Sequence, residues 1–277
     1  MTILRIRSLA LAALASLSAI SVARSADLPL APPIPEFSGW YLRGDIGFSN
    51  QNVGHLFNAN YAGFTSVTNV DKGFDAAPLF GLGVGYMVNN WLRFDVTGEY
   101  RGAANFHGLD VGALPGGGFA DDRYTASKSE WTFLFNGYVD LGTWWNITPF
   151  LGAGIGASRN TISNFGDFST CINSLSCSGN GGSDAFGGTF SKWNFAWALH
   201  AGLGYQVWRN VTLELSYRYI DLGNAQSGDL ARFDGTNLFY NPMEFHHLTS
   251  QDVRLGVRFN FGGYDYQPPP PPLRSKG

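Results

Sequence analysis

Three groups of side chains in this sequence could do chemistry. The first is histidine: His55, His107, His246 and His247 stand in polar stretches beside aromatic residues, while His200 lies inside an alternating apolar run. Imidazole is a common ligand of haem iron and other metals, and a proton carrier near neutral pH. The second is the pair Cys171 and Cys177, separated by I-N-S-L-S. A metal site needs more ligands than that loop offers, so a disulfide closing a small surface loop is the preferred reading. The third is a set of charges of both signs: Arg43, Asp45, Arg93, Asp95, Glu99, Asp140, Glu214, Arg218, Asp252, Arg254 and Arg258. What unites them is placement, because each falls on the polar side of a segment with period two.

Period two is the signature of a strand, on which residues i, i+2 and i+4 share a face. It recurs through the chain. One segment sets Phe80, Leu82, Val84, Tyr86 and Val88 against glycines and Met87; the next sets Leu92, Phe94, Val96 and Tyr100 against Arg93, Asp95, Thr97, Glu99 and Arg101. The same contrast holds around Trp40–Phe48, Trp131–Leu141, Leu151–Ile155, Trp193–Val207, Val211–Tyr219 and Val253–Phe261. The connections also alternate. Asn89-Asn90, Gly142 to Asn146 and Trp208 to Asn210 are short, whereas residues 50–76, 102–128, 158–191 and 222–248 read as long loops.

Alternation does not say which face points inward; volume does. An eight-stranded ring has an interior just wide enough for side chains to fill. Faces of Trp, Phe, Tyr, Leu and Val from every strand would overfill it, whereas Gly, Ser, Thr, Asn and compensated charges fit. The bulky face therefore meets lipid, and the charges face a closed lumen, where they must pair. Tryptophan placement agrees with two membrane interfaces: Trp40, Trp91, Trp144, Trp145 and Trp208 lie at the short-turn end, and Trp131, Trp193 and Trp197 towards the other.

The ends of the chain agree with export. Arg5 and Arg7, an apolar run from Leu9 to Ile20 and small residues at Ala23, Ser25 and Ala26 read as a signal peptide over 1–25, with cleavage between Ala23 and Asp27. A lead over 26–38, a barrel over 39–261 and a proline-rich tail over 262–277 complete the expected organisation. A net charge of -3 and a charged fraction of 14% give no basic surface for nucleic acid. The abundance of glycine (36 residues) and of aromatics (15%) suits tight turns and exposed rings.

These stretches resemble the small outer-membrane barrels of alpha-proteobacteria, related to opacity-type surface antigens and to the transmembrane domain of OmpA-like proteins. The resemblance rests on A-D-L-P, G-W-Y-L-R-G-D-I-G-F, G-L-G-V-G-Y-M-V-N-N-W-L-R-F-D-V-T-G-E-Y-R, Y-R-Y-I-D-L-G and the aromatic-ended last strand with Val257, Phe259 and Phe261. The expected fold is all-β, an eight-stranded antiparallel up-and-down transmembrane barrel with short periplasmic turns and four long outer loops. The implied setting is the Gram-negative outer membrane with both termini periplasmic. The implied partners are membrane lipid and lipopolysaccharide, the barrel assembly machinery during insertion, and host or surface ligands.

The expected function is structural: a plugged barrel that anchors surface loops and supports envelope integrity, with no cofactor and no enzymatic activity. The resemblance adds haemin binding as an alternative, with His55, His107, His246 and His247 as candidates. A lipid A-modifying enzyme is a third reading. It would need a serine and an acid beside a rim histidine, and His200 offers neither from mid-strand. The tail departs from relatives that stop at the last aromatic, which removes a strictly C-terminal assembly signal and leaves an extended polyproline segment.

Overall fold

Residues with β-branched and aromatic side chains on one face and small or polar ones on the other form strands throughout the computed structural model, which describes residues 38–172, 182–237 and 239–261. Among these the strands are β1 Gly39–Phe57, β2 Ser66–Phe74, β3 Ala77–Met87, β4 Leu92–Ala113, β5 Phe119–Asp140, β6 Ile147–Ile172, β7 Gly182–Gly187, β8 Phe190–Trp208, β9 Val211–Gln226, β10 Leu230–Arg232 and β11 Glu244–Asn260. The expected signal peptide, lead and tail, and Cys177, lie outside the described residues. Cys171 is in register with Ala120 near the far end of β6.

Eight strands close a ring. β1 pairs with β3 on one side and with β11 on the other, and β3, β4, β5, β6, β8, β9 and β11 follow in sequence, every contact antiparallel. The fold is the expected up-and-down barrel. Tyr41 is in register with Asn260, so the chain enters and leaves the ring at the end that carries the short turns. Asn89 secures one of those turns by accepting from the backbone N–H of Trp91 and Leu92.

The long connections all lie at the opposite end, but much of their length is strand. Residues 102–128, read from the sequence as a loop, are the outer halves of β4 and β5, paired from Ala104↔Lys128 to Ala113↔Phe119 and closed by a turn at Leu114–Gly118. β2 extends the sheet on β4, β7 on β6, and β10 on β7. β6 has 26 residues and reaches roughly 85 Å at ~3.3 Å per residue; that is more than twice the ~9–11 residues that a tilted strand needs to cross hydrocarbon.

The polarity of the two faces inverts part-way along these strands. On β1 the outward face runs Trp40, Leu42, Ile46, Phe48 and then Asn50, Asn52; the inward face runs Arg43, Asp45, Ser49, Gln51 and then Val53, Leu56. On β11 the outward rings and aliphatics from Phe261 to Val253 give way to Gln251 and Thr249, while inside Arg254 and Asp252 give way to Leu248 and Phe245. On β5, Trp131 is followed outward by Ser129, Ser127 and Thr125. The crossovers are neighbours in the sheet, for Asn50 pairs with Gln251. They mark a border between a band that prefers acyl chains and an outer part packed like a water-soluble protein.

Close packing inside the narrow band requires glycine beneath rings. A Cβ on Gly85 would lie 2.3 Å from the Tyr41 ring, and one on Gly152 would lie 2.4 Å from that of Tyr138. Gly85→Val is expected to lower the unfolding free energy by about 1–3 kcal/mol through overpacking, read as a lower urea midpoint in detergent. An unchanged midpoint would mean that the Tyr41 ring moves freely aside.

Candidate functional site

Among the described residues, most of the buried charge lies in the lumen. Seven cations, Arg43, Arg93, Arg101, Lys128, Arg218, Arg254 and Arg258, face seven carboxylates, Asp45, Asp95, Glu99, Glu130, Asp140, Glu214 and Asp252, and all are buried. Inward-facing positions on the ring strands deliver them. The eleven charges singled out from the sequence all point into this space, where the ring brings them together. Arg101, Lys128 and Glu130 complete the set.

Near the short-turn end, Arg43 donates to Asp45 at 2.8 Å and to Asp95 at 3.0 Å. Arg93 meets Asp140 and Glu214, each at 3.2 Å, with its guanidinium between the rings of Tyr138 and Phe150 at 4.3 and 4.7 Å. Arg258 donates to Glu214 at 2.9 Å. Arg254 joins this group to the next by donating to Asp45 at 3.1 Å and to Glu99 at 3.0 Å.

Glu99 also receives both terminal nitrogens of Arg218, at 2.8 and 2.6 Å. Asp252 accepts from Arg218 and Arg101 at 2.7 and 2.8 Å. Glu130 binds Arg101 and Lys128, and Lys128 donates onward to Gln51 at 2.7 Å. His200 is buried in the same space, 3.2 Å from the Asn136 side-chain oxygen and packed on Tyr138.

Lys128 and Glu130 fell in a stretch read as loop or loop edge, and Arg101 appeared in the alternation without being singled out. The missed signal was the continued period of two beyond Trp131, concealed because its outward residues turn polar. Such a network disfavours water and ions only while it is compensated, since an unpaired buried charge costs several kcal/mol.

Above the charges the lumen is filled with hydrocarbon. Phe74, Phe106, Phe165 and Phe245 contact one another with ring centroids 4.9–6.2 Å apart, amid Val53, Leu56, Ile220, Leu222, Met243 and Leu248. Lys128 ends the polar layer with its ammonium 5.8 Å from the Phe74 ring. Beyond this layer, at the long-connection end, lies a cavity of about 330 Å³ whose lining includes Tyr61, Asp122, Tyr124, Asp167, Ser169 and Phe239. Burial and the neighbouring Asp122 and Asp110 push the Asp167 carboxyl up to about 8, and burial raises that of Asp122.

The remaining candidates lie outside the ring. His55 and His246 stack face to face with centroids 4.6 Å apart. His246 contacts Glu244 at 2.9 Å, and His107 contacts Asp71 at 3.1 Å on a different part of the sheet. His247 has a left-handed backbone (φ 60°) at the bulge between Phe245 and Leu248. The four histidines therefore do not converge on one site: two are brought together, and the cavity lining includes none of them.

Residues 10–261 match the family described as outer membrane protein beta-barrel domain. A protein of Brucella suis biovar 1 is 31% identical, over 88% of this chain and 95% of its own. A protein of Rickettsia rickettsii put forward as an adhesin is 28% identical, over 80% and 87%. Among solved structures, Neisserial surface protein A aligns with a TM-score of 0.42 at 17% identity, covering 81% of this chain and 99% of that one. The outer membrane protein OprG from Pseudomonas aeruginosa aligns at 0.46 and 13%, covering 80% and 95%.

Proposed function

Since the chain belongs to the outer membrane protein beta-barrel family, we propose that it is a surface protein whose sealed ring anchors a large protruding outer part and strengthens the envelope, without acting as a diffusion pore. The observation that carries this reading is the double seal: a compensated ion network across the lumen, capped by an apolar layer of Phe74, Phe106, Phe165 and Phe245. Water entering the network would still meet hydrocarbon.

In this reading the short turns and both termini face the periplasm, the signal peptide over 1–25 directs export, and the barrel assembly machinery inserts the ring. The outer halves of β4, β5 and β6 carry the turn at Leu114–Gly118 far from the membrane, where it can meet host or other surface ligands. The relative put forward as an adhesin supports contact with surroundings as part of the role. The border residues suit lipopolysaccharide, because Arg159 is exposed in register between Trp131 and Trp193 where the apolar band ends. Two interfacial indoles beside a guanidinium match a phosphorylated lipid headgroup above acyl chains.

Two measurements test the reading. Purified protein in planar bilayers is expected to give no stable openings above background, and large persistent conductance would overturn the seal. An epitope inserted between Gly116 and Gly117 is expected to be reached by antibody on intact cells. Detection only after permeabilisation would reverse the orientation.

A further inference from the structure

We propose that the cavity at the long-connection end binds a small organic cation, an alkylammonium carried on an apolar stem. The argument starts from a contrast within the molecule. In the lumen every cluster of buried carboxylates meets arginine or lysine, seven against seven. The cavity abandons that rule. Asp122 and Asp167 line it from the adjacent strands β5 and β6, Asp110 of β4 stands in register with Asp122 just behind the lining, and the partners of Asp110 and Asp122 are hydroxyls and an amide: Tyr61 and Asn69 for Asp110, Ser169 for Asp122.

Oδ1 of Asp167 is buried and has no hydrogen-bond partner. Arg232 lines the same cavity, yet among the described residues it makes no ion pair with these acids. These carboxyls are thus left to a proton or to a bound cation for neutralisation. The apolar part of the lining specifies its shape, because Tyr61, Phe64, Tyr124 and Phe239 present rings to the same space. Ring faces beside carboxylates attract an ammonium, and the attraction grows when it is desolvated. A volume of about 330 Å³ lies at the small end of the range for small-molecule sites.

Protonation supplies a signature. The Asp167 carboxyl is pushed up to about 8, first by burial and then by Asp122, Asp110 and Asp184. The charged and titratable groups around it are these acids, Tyr124 on β5, Tyr61 and Arg232 on β10. Below pH 8 an incoming ammonium must displace the proton, so binding releases protons and tightens as pH rises through 8. The amine itself stays charged until about pH 10.

The test is calorimetric titration of the full chain in phosphatidylcholine nanodiscs with putrescine, at pH 6.5 and 8.5 and in two buffers of different ionisation heat. Its neutral isostere 1,4-butanediol and calcium chloride serve as comparisons. Saturable putrescine binding with proton release is expected, roughly 25-fold tighter at the higher pH for a carboxyl that titrates near 8, with no uptake of the diol. Asp167→Asn should abolish the pH dependence and weaken binding at least tenfold. Phe239→Ala, in an exposed segment, should weaken binding several-fold while leaving the acids and the pH dependence in place.

Heat-modifiable migration on gels verifies that each variant is folded, and if Asp167→Asn fails to fold, the pH series and Phe239→Ala decide. The proposal is overturned by absence of saturable putrescine binding, by equal uptake of the diol, by displacement of putrescine with equimolar calcium, or by unchanged affinity in both folded variants. None of these outcomes depends on which end of the ring faces the exterior.

Discussion

Glu99→Gln is expected to lower the unfolding free energy of the barrel by roughly 3–5 kcal/mol, the cost of removing one partner from a buried ion pair. Glu99 is the hub of the upper lumen. It accepts from Arg218 at 2.8 and 2.6 Å and from Arg254 at 3.0 Å, and it lies 3.8 Å from Arg101. The substitution keeps shape but takes one negative charge from a set balanced at seven and seven. The excess positive charge cannot be moved into lipid or replaced by water without opening the ring.

Urea unfolding in detergent, followed by tryptophan fluorescence and by heat-modifiable migration, measures the loss. A second substitution distinguishes charge balance from packing: Arg254→Met in the Glu99→Gln background restores neutrality, and Asp45 retains Arg43 at 2.8 Å. The double variant should regain a large part of the loss. If the single variant unfolds at the parental midpoint, the lumen is wet enough to screen its charges, and the seal fails with it.

Arginine on the outward face should cost about 2–4 kcal/mol at mid-membrane and only ~0–1 kcal/mol near the interface. Leu255 is 51% exposed and sits in register between Ile46 and Leu215, which are equally bare, so it belongs to the centre of the band. Gln251 lies on the same face of β11, paired with Asn50 at the polarity crossover. Leu255→Arg is therefore expected to destabilise the protein folded into phosphatidylcholine vesicles by the larger amount, and Gln251→Arg by the smaller. Equal costs would place both residues at the same depth and displace the membrane border from the crossover.

How much of this was legible in the sequence depended on whether neighbours along the chain or neighbours across the ring decide the matter. Period two from Val253 to Phe261, with Arg254 and Arg258 on the other side, identifies a strand and its two faces without any partner. Volume then settles which face is inward, since a ring of this size cannot contain Phe259, Leu255 and their counterparts. The short turns at Asn89 and Asn210 were equally readable, because turn residues act locally.

The outer halves of β4 and β5 keep the period at Phe106 and Tyr124, but their outward face becomes polar, so the bulky outward face that marks the other strands in the sequence is missing there. Solvent replaces lipid outside, so the inside turns apolar. The network had the same limit. That Arg43, Glu99 and Arg258 needed partners followed from burial alone, but that Glu99 would meet Arg218 across 119 positions of sequence is a consequence of ring closure and register. So is the encounter of Asp110, Asp122 and Asp167, which the sequence spreads over three strands and only the sheet sets side by side. The sequence by itself determined strand faces and the class of fold, because periodicity and side-chain volume are local quantities. The tertiary structure decided pairing, seal and cavity, because electrostatic compensation depends on distances that only closure of the ring creates.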